Sequence, residues 1–290
     1  MKKLVTGCAI IAAGMLTACV ANSDVQHPQH PRATTRFTVP EQIARKTVAL
    51  DKWIGLVGYD EDGDPEYDDV DPNVDPKAML KPFCSAVWVS KDKILTAFHC
   101  VESLGRPPMN IHDMVVKMLT GVSPKWDPTG QPLTYSIYGD VEEAHGVKIR
   151  TVRDATVYAI DPEEDLALIQ ATPDEEGKLP QHEFAVITQQ EVHLGDDLHI
   201  VGHPSGQWWS YTHGYVSQHR SQIKNASENP VDAFQVSAPV WFGNSGGGAF
   251  NARGELVGIG SWILTRTPNA GFFIDNDTCR RFLQKNKVVR

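Results

Sequence analysis

The run Gly243-Asn244-Ser245-Gly246-Gly247 places a serine among glycines that can bend sharply and present consecutive backbone N–H groups. A serine hydroxyl is a weak nucleophile until an imidazole takes its proton, and the imidazole needs a buried carboxylate to fix its tautomer. Upstream, Thr96-Ala97-Phe98-His99-Cys100 and Asp165-Leu166-Ala167-Leu168-Ile169 offer both groups, in the order His, Asp, Ser. That order discriminates between chemistries. The same glycine run fits the G-x-S-x-G nucleophile elbow of α/β-hydrolases, but there the histidine comes last in the chain. No histidine follows Ser245 here. The elbow also needs a helix directly after the serine, and Gly246-Gly247-Gly248 is a poor helix start that leads into the strand-like Ala249-Phe250. The esterase or lipase reading is therefore excluded.

On these motifs the chain resembles the chymotrypsin-like (trypsin-fold) serine peptidases, nearer to their bacterial branch than to the digestive enzymes. The histidine motif is similar to Leu95-Thr96-Ala97-Phe98-His99-Cys100, with Phe98 where a small residue is usual. The aspartate motif is similar to Glu164-Asp165-Leu166-Ala167-Leu168-Ile169, and the serine motif to Gly243 through Gly247, with Gly248 where proline is common. The resemblance runs on through Leu256-Val257-Gly258-Ile259-Gly260-Ser261-Trp262. It implies a catalytic triad of His99, Asp165 and Ser245 and an oxyanion hole from the N–H groups of Gly243 and Ser245. It also implies a Cys84–Cys100 disulfide, which in the loop-entropy account would contribute about 3 kcal/mol. Digestive relatives carry an aspartate before the serine that pairs with a freshly cut N-terminus. Asn244 has no such charge, so activation by N-terminal cleavage is not expected.

Short β-branched and aromatic runs separated by turn residues predict an all-β fold: two packed six-stranded antiparallel β-barrels with a C-terminal α-helix. Strands are predicted at 48–57, 85–89, 94–97, 115–119, 147–152, 156–160 and 166–169 for the first barrel. The second is assigned 185–187, 198–201, a hairpin within 208–216, then 234–237, 247–250, 256–262 and 271–274. The expected domain limits are 46–178 for the N-terminal barrel, 179–275 for the C-terminal barrel and 276–288 for the helix, together a peptidase domain over 46–290. Asn276 or Asp277 is the expected helix cap, with Phe282 and Leu283 facing the barrel.

Residues 1–18 read as an export signal: Lys2 and Lys3, an apolar stretch from Leu4 to Leu16, and small residues. Leu16-Thr17-Ala18-Cys19 carries the bacterial lipoprotein pattern, making Cys19 the lipidation site and the protein an exported, lipid-anchored one, on the periplasmic face or outer membrane. Residues 19–45 read as a flexible stalk, poor in apolar side chains. Of the remaining cysteines, Cys279 is expected to pack inside the C-terminal helix. The net charge is −9, and removal of the leader takes two lysines and no acid, giving −11. A nucleic-acid partner is thereby excluded, and the partners expected are a peptide or protein substrate and a membrane surface, with the chain a monomer. Asp60-Glu61-Asp62-Gly63-Asp64 imitates part of a calcium loop without its full ligand set. His145, His182, His193, His199, His203, His213 and His219 show no ligand spacing, so no metal and no cofactor are expected.

The resemblance further implies that Ser261 and Trp262 hold an extended substrate backbone, with the specificity pocket lined near Pro239, Ile263 and Gly271. No carboxylate stands at the expected base of that pocket, and Ile263 shortens it, which implies small or medium apolar side chains before the scissile bond. The competing functional class is a tethered binding or adhesion protein that keeps the fold without turnover.

Overall fold

Strands buried on one face or on both close the chain into two antiparallel barrels, as expected. The computed structural model describes residues 38–53, 56–59, 65–67, 80–107, 109–120, 125–144, 147–224, 230–265 and 270–288. The export signal, Cys19, the stalk up to residue 37 and the calcium-like Asp60–Asp64 run lie outside the described residues. In chain order, helix α1 (Val39–Lys46) leads into β1 (Thr47–Trp53), the hairpin β2 (Leu56–Tyr59) and β3 (Pro65–Tyr67), then β4 (Leu80–Trp88) and β5 (Lys93–Ala97). Helix α2 (Ile111–Thr120), β6 (Pro132–Ile137), the hairpin β7 (Val141–Ala144) and β8 (Val147–Arg150), β9 (Arg153–Asp161) and β10 (Leu166–Ala171) follow. The second half holds β11 (Asp197–Gly202), β12 (Ser210–Lys224), β13 (Pro230–Val236), β14 (Gly248–Phe250), β15 (Leu256–Ile263), β16 (Gly271–Asp275) and helix α3 (Asn276–Lys285). One barrel closes in the order β1-β4-β5-β10-β9-β6 and the other in the order β11-β12-β13-β16-β15-β14. Among the described residues no helix is long and apolar enough to cross a membrane.

Three apolar clusters account for the packing. Trp88, Tyr135, Ile94 and Ile169 fill the first barrel, and Leu198, Ile200, Phe234 and Phe273 fill the second. The third lies between them: Val87, Leu95, Leu166 and Leu168 from one barrel meet Val201, Phe250, Ile259 and Ile274 from the other. Ile43 of α1 and Cys279, Phe282 and Leu283 of α3 complete that seam, all fully or almost fully buried. Both helices thus cover the junction that carries the cleft.

Several local expectations are corrected. Residues 39–45, assigned to the stalk, belong to α1: the Thr38 N–H donates to the Glu41 carboxylate at 2.8 Å, and Pro40 sits in the first turn, where its missing N–H costs nothing. The segment 115–119 is helical within α2, because the Asn110 side chain accepts from the Asp113 N–H at 2.8 Å and caps the run. Strand β6 is not among the expected strands; its proline stands at the first strand position, where it breaks no ladder. The expected hairpin at 208–216 is one 15-residue strand, β12, which bends through two register shifts to pair with β11 and then β13. Residues 185–187 form no strand, only a single bridge from Ile187 to Leu256. Helix α3 is capped by Asp275, whose carboxylate accepts from the Thr278 N–H at 2.8 Å.

Cys84 in the middle of β4 and Cys100 after β5 are disulfide-bonded, and Cys279 is free and buried. The bridge closes a loop of 16 residues. Replacing both cysteines by serine is expected to lower unfolding stability by about 3 kcal/mol, measured by urea denaturation; a loss below about 1 kcal/mol would contradict the loop-entropy account.

Candidate active site

His99 sits on a single 3-10 turn, Phe98–Cys100, directly after β5, and the disulfide at Cys100 ties that turn to β4. Asp165 immediately precedes β10, the neighbour of β5, so the sheet itself brings the two side chains together. The His99 Nδ1 lies 2.9 Å from Asp165 Oδ2 and 3.1 Å from Oδ1, and the His99 backbone N–H donates to Oδ1 at 3.0 Å. The carboxylate is fully buried and acceptor-only, so Nδ1 carries the proton and Nε2 keeps a free lone pair. Asp165 has a left-handed backbone (φ 53°), which aspartate tolerates better than most residues, and its carbonyl accepts from the Phe98 N–H at 3.0 Å.

From the other barrel comes Ser261. A register shift between Gly260 and Trp262 in the pairing of β15 with β16 marks a bulge there. Bulges re-aim side chains. The Ser261 hydroxyl is buried and donates to Asp165 Oδ2. Its side chain thus supports the carboxylate, which leaves the backbone at this position to meet a ligand.

Ser245 stands on the turn between β13 and β14 and lines one cleft with His99. The turn has little freedom. Gly243 and Gly246 have φ of 102° and 77°, and a Cβ on Gly246 would lie 2.0 Å from Thr96 Oγ1 and 2.3 Å from the Ser85 carbonyl oxygen. The N–H of Asn244 donates to the Trp241 carbonyl at 3.0 Å, that of Gly246 to Gly260 at 2.7 Å and that of Gly247 to Asn244 at 2.9 Å. Among the described residues the N–H groups of Gly243 and Ser245 have no protein acceptor.

Ser85, which sequence reasoning did not single out, holds this turn in place. Its N–H donates to the Ser245 carbonyl at 2.8 Å and its hydroxyl to the Gly243 carbonyl at 2.7 Å. Because the single hydroxyl proton is used there, the fully buried His203, with Nδ1 2.9 Å from Ser85 Oγ, donates to that oxygen. The Ser205 N–H in turn takes the Phe242 carbonyl at 2.7 Å. The only sequence signal for Ser85 was its place next to Cys84. Asn244 is buried and neutral, its amide packed against Gly202.

The cleft has a volume of about 440 Å³, and among the described residues its walls carry no acid or base besides His99. Ser261, Trp262, Ile263 and Gly271 line it, and Trp262 stacks on Phe272 with centroids 5.0 Å apart. Pro239 does not line it; the neighbouring Val240 does, and Trp241, Phe242 and Phe83 add apolar surface that the sequence did not point to.

Comparisons with known proteins agree with this architecture. The family described as Trypsin-like peptidase domain matches residues 84–259. The chain belongs to that family. Serine endoprotease DegS of Haemophilus influenzae is 27% identical over 146 residues, which are 47% of this chain and 42% of that protein. A probable periplasmic serine endoprotease, DegP-like, of Brucella suis is 31% identical over 153 residues, 48% of this chain and 28% of its own. The chain thus matches less than half the length of either relative. Among solved structures, the Rv3671c protease of M. tuberculosis in its active form superposes with a TM-score of 0.54 at 16% identity, covering 87% of this chain and 85% of that one. This likeness shows the shared fold.

Burial disfavours a charged His99, but the hydrogen bond to Asp165 and the negative charges of Asp165 and Glu102 outweigh it and hold the imidazole pKa above its usual 6.5. Titration of the ring by NMR is expected to show a midpoint above 6.5 in the native chain. In Asp165→Asn burial acts almost alone, so the midpoint should drop below the ordinary value; an unchanged midpoint would mean that the pair does not govern the ring.

Proposed function

We infer that this chain is a serine endopeptidase of the bacterial envelope, acting through His99, Asp165 and Ser245. The observation that carries the reading is the shared cleft lined by both a carboxylate-oriented imidazole and a glycine-cradled serine, with two N–H groups beside the serine that have no acceptor among the described residues. His99 Nε2 takes the Ser245 hydroxyl proton as the oxygen attacks the scissile carbonyl. The oxyanion that forms is met by the Gly243 and Ser245 N–H groups, whose peptide planes are held through the Phe242 carbonyl by the Ser205 N–H and through the Asn244 carbonyl by the Gly247 N–H. The imidazolium then gives its proton to the departing amine, and a water, deprotonated by the same ring, releases the acyl group.

Two features support activity without cleavage of an N-terminal activation segment. The Gly243 turn is tethered by neutral hydrogen bonds, and Asn244 supplies no charge for an incoming ammonium. Export rests on the leader and Cys19, and anchoring through Cys19 would present the domain from a membrane surface; the names of the relatives, among them a probable periplasmic endoprotease, accord with that. The substrate is a peptide or protein held in extended form along the backbone of β15 by strand addition.

The full chain is expected to react with a fluorophosphonate probe, and Ser245→Ala to abolish labelling. Asp165→Asn should lower kcat by about ten-thousandfold. A folded chain that neither labels nor cleaves would favour the alternative of a tethered binding or adhesion protein.

The apolar walls set specificity. A cationic side chain entering beside Val240, Ile263 and Phe272 would lose hydration without gaining a counter-charge. A peptide library should therefore show cleavage after small or medium apolar residues, and dominant cleavage after Arg or Lys would refute this assignment of the pocket.

A further inference from the structure

Seven histidines outside the candidate triad show no ligand spacing along the chain, yet strand pairing brings two of them together. On the antiparallel pair β11 and β12, His199 and His213 are directly opposite, and Asp197 lies two residues before His199 on the same face. His213 Nε2 is 2.6 Å from Asp197 Oδ1, and His199 Nε2 is 3.3 Å from Asp197 Oδ2. One ligand atom from each of the three residues lies within 4.8 Å of the others. A tetrahedral zinc ion with Zn–N and Zn–O bonds near 2 Å separates its ligand atoms by about 3.3 Å, so small side-chain rotations suffice to seat one ion.

Three further observations point the same way. The second ring nitrogen of His199, Nδ1, is 2.8 Å from the Tyr211 hydroxyl, an outer partner of the sort that fixes the orientation of a ligating imidazole. The His199 side chain is only 12% exposed, whereas those of Asp197 and His213 are 43% and 40% exposed. One ligand is thus anchored in the protein while the other two leave an open approach for the ion and a water. The donor set of two imidazoles and one carboxylate, without thiolate, suits zinc and its first-row neighbours and does not suit the all-oxygen sites of calcium or magnesium.

From this arrangement the geometry points to a surface site for a zinc-class divalent ion held by Asp197, His199 and His213. None of the three lines the cleft. The ion would clip β11 to β12, and β11 runs directly into His203, Pro204 and Ser205, the segment that holds the Phe242 carbonyl and, through Ser85, the Gly243 turn. A bound ion would therefore stabilise the second barrel on the side from which the serine turn is braced, with no part in bond cleavage.

The test uses the full chain carrying Ser245→Ala, free of added histidine tags, so that self-cleavage and the peptidase reading do not enter. Zinc chloride is titrated calorimetrically, cobalt(II) is followed by its visible absorption, and Tm is recorded with and without zinc. The expected result is one ion per chain at this site and a rise in Tm. His213→Ala and Asp197→Asn, both partly exposed and so compatible with folding, should each lose more than about tenfold in affinity, with Tyr211→Phe weakened to a smaller degree. The zinc-dependent rise in Tm should vanish in His213→Ala while its metal-free Tm and circular dichroism stay close to those of the parent. Absence of zinc binding, or binding of the same stoichiometry and affinity in His213→Ala and in the His199→Ala/His213→Ala double variant, overturns the proposal.

Discussion

The carboxylate of Asp165 is the group around which the molecule is arranged. An ionised carboxylate taken fully out of water is costly unless each oxygen is met by donors. Its donors come from three places: the backbone and ring of His99 after β5, and the Ser261 hydroxyl on β15 of the other barrel. The first two fix the His99 turn relative to β10. The third can reach Asp165 only if the two barrels dock in one register, so burying this single charge couples the internal geometry of one barrel to its placement on the other. The left-handed backbone at Asp165 is tolerated because the same contacts over-determine it.

A second polar seam runs through Ser85 and uses only neutral groups. Residue 84 is in the disulfide and residue 85 carries the hydrogen bonds to the carbonyls of Ser245 and Gly243, so the covalent brace behind the His99 turn also braces the serine turn. Each such hydrogen bond contributes only about 1 kcal/mol net. Their value lies in direction: they pin the peptide planes after Gly243 and after Ser245, while the Ser205 and Gly247 N–H groups hold the planes that carry the Gly243 and Ser245 N–H groups, so that in the proposed mechanism these donors need no reorganisation when negative charge develops. The apolar seam of Leu95, Leu166, Phe250 and Ile259, capped by α1 and α3, supplies the bulk of the docking energy that makes such fine placement hold.

What was legible in the sequence follows from how local the signal is. His99, Asp165 and Ser245 each sit beside a strand or a glycine turn whose residues constrain only near neighbours, and both barrels follow from runs of buried β-branched residues. The misses are places where a tertiary or capping interaction outweighs composition. Thr38 and Glu41 convert a proline-containing stretch into α1, Asn110 caps a valine-bearing segment into α2, and Pro132 is harmless at the first position of β6. Ser85 and His203, 118 residues apart, gain their meaning only from folding, and the same holds for Asp197, His199 and His213. Ser261 is expected by resemblance to hold the substrate backbone; it lines the cleft, and the bulge at its position also turns its hydroxyl to the carboxylate, a contact the sequence did not point to.

The replacement of a charged brace by a neutral one has a physical consequence. Where a carboxylate before the serine pairs with a newly formed ammonium, the turn is ordered by an ion pair that must be created and desolvated, and the net gain of a buried pair is small against its cost. With Asn244 buried and uncharged, and with Ser85 gripping two carbonyls of the turn and Ser205 a third, no new charge has to be buried to order it. The ordering free energy is instead spread over hydrogen bonds that form as the barrels close, so it arrives with folding itself. Regulation of such a turn then has to act on the segments that supply the donors, β4 through Ser85 and the end of β11 through His203 and Ser205, and not on the serine motif, whose sequence contains no titrating group.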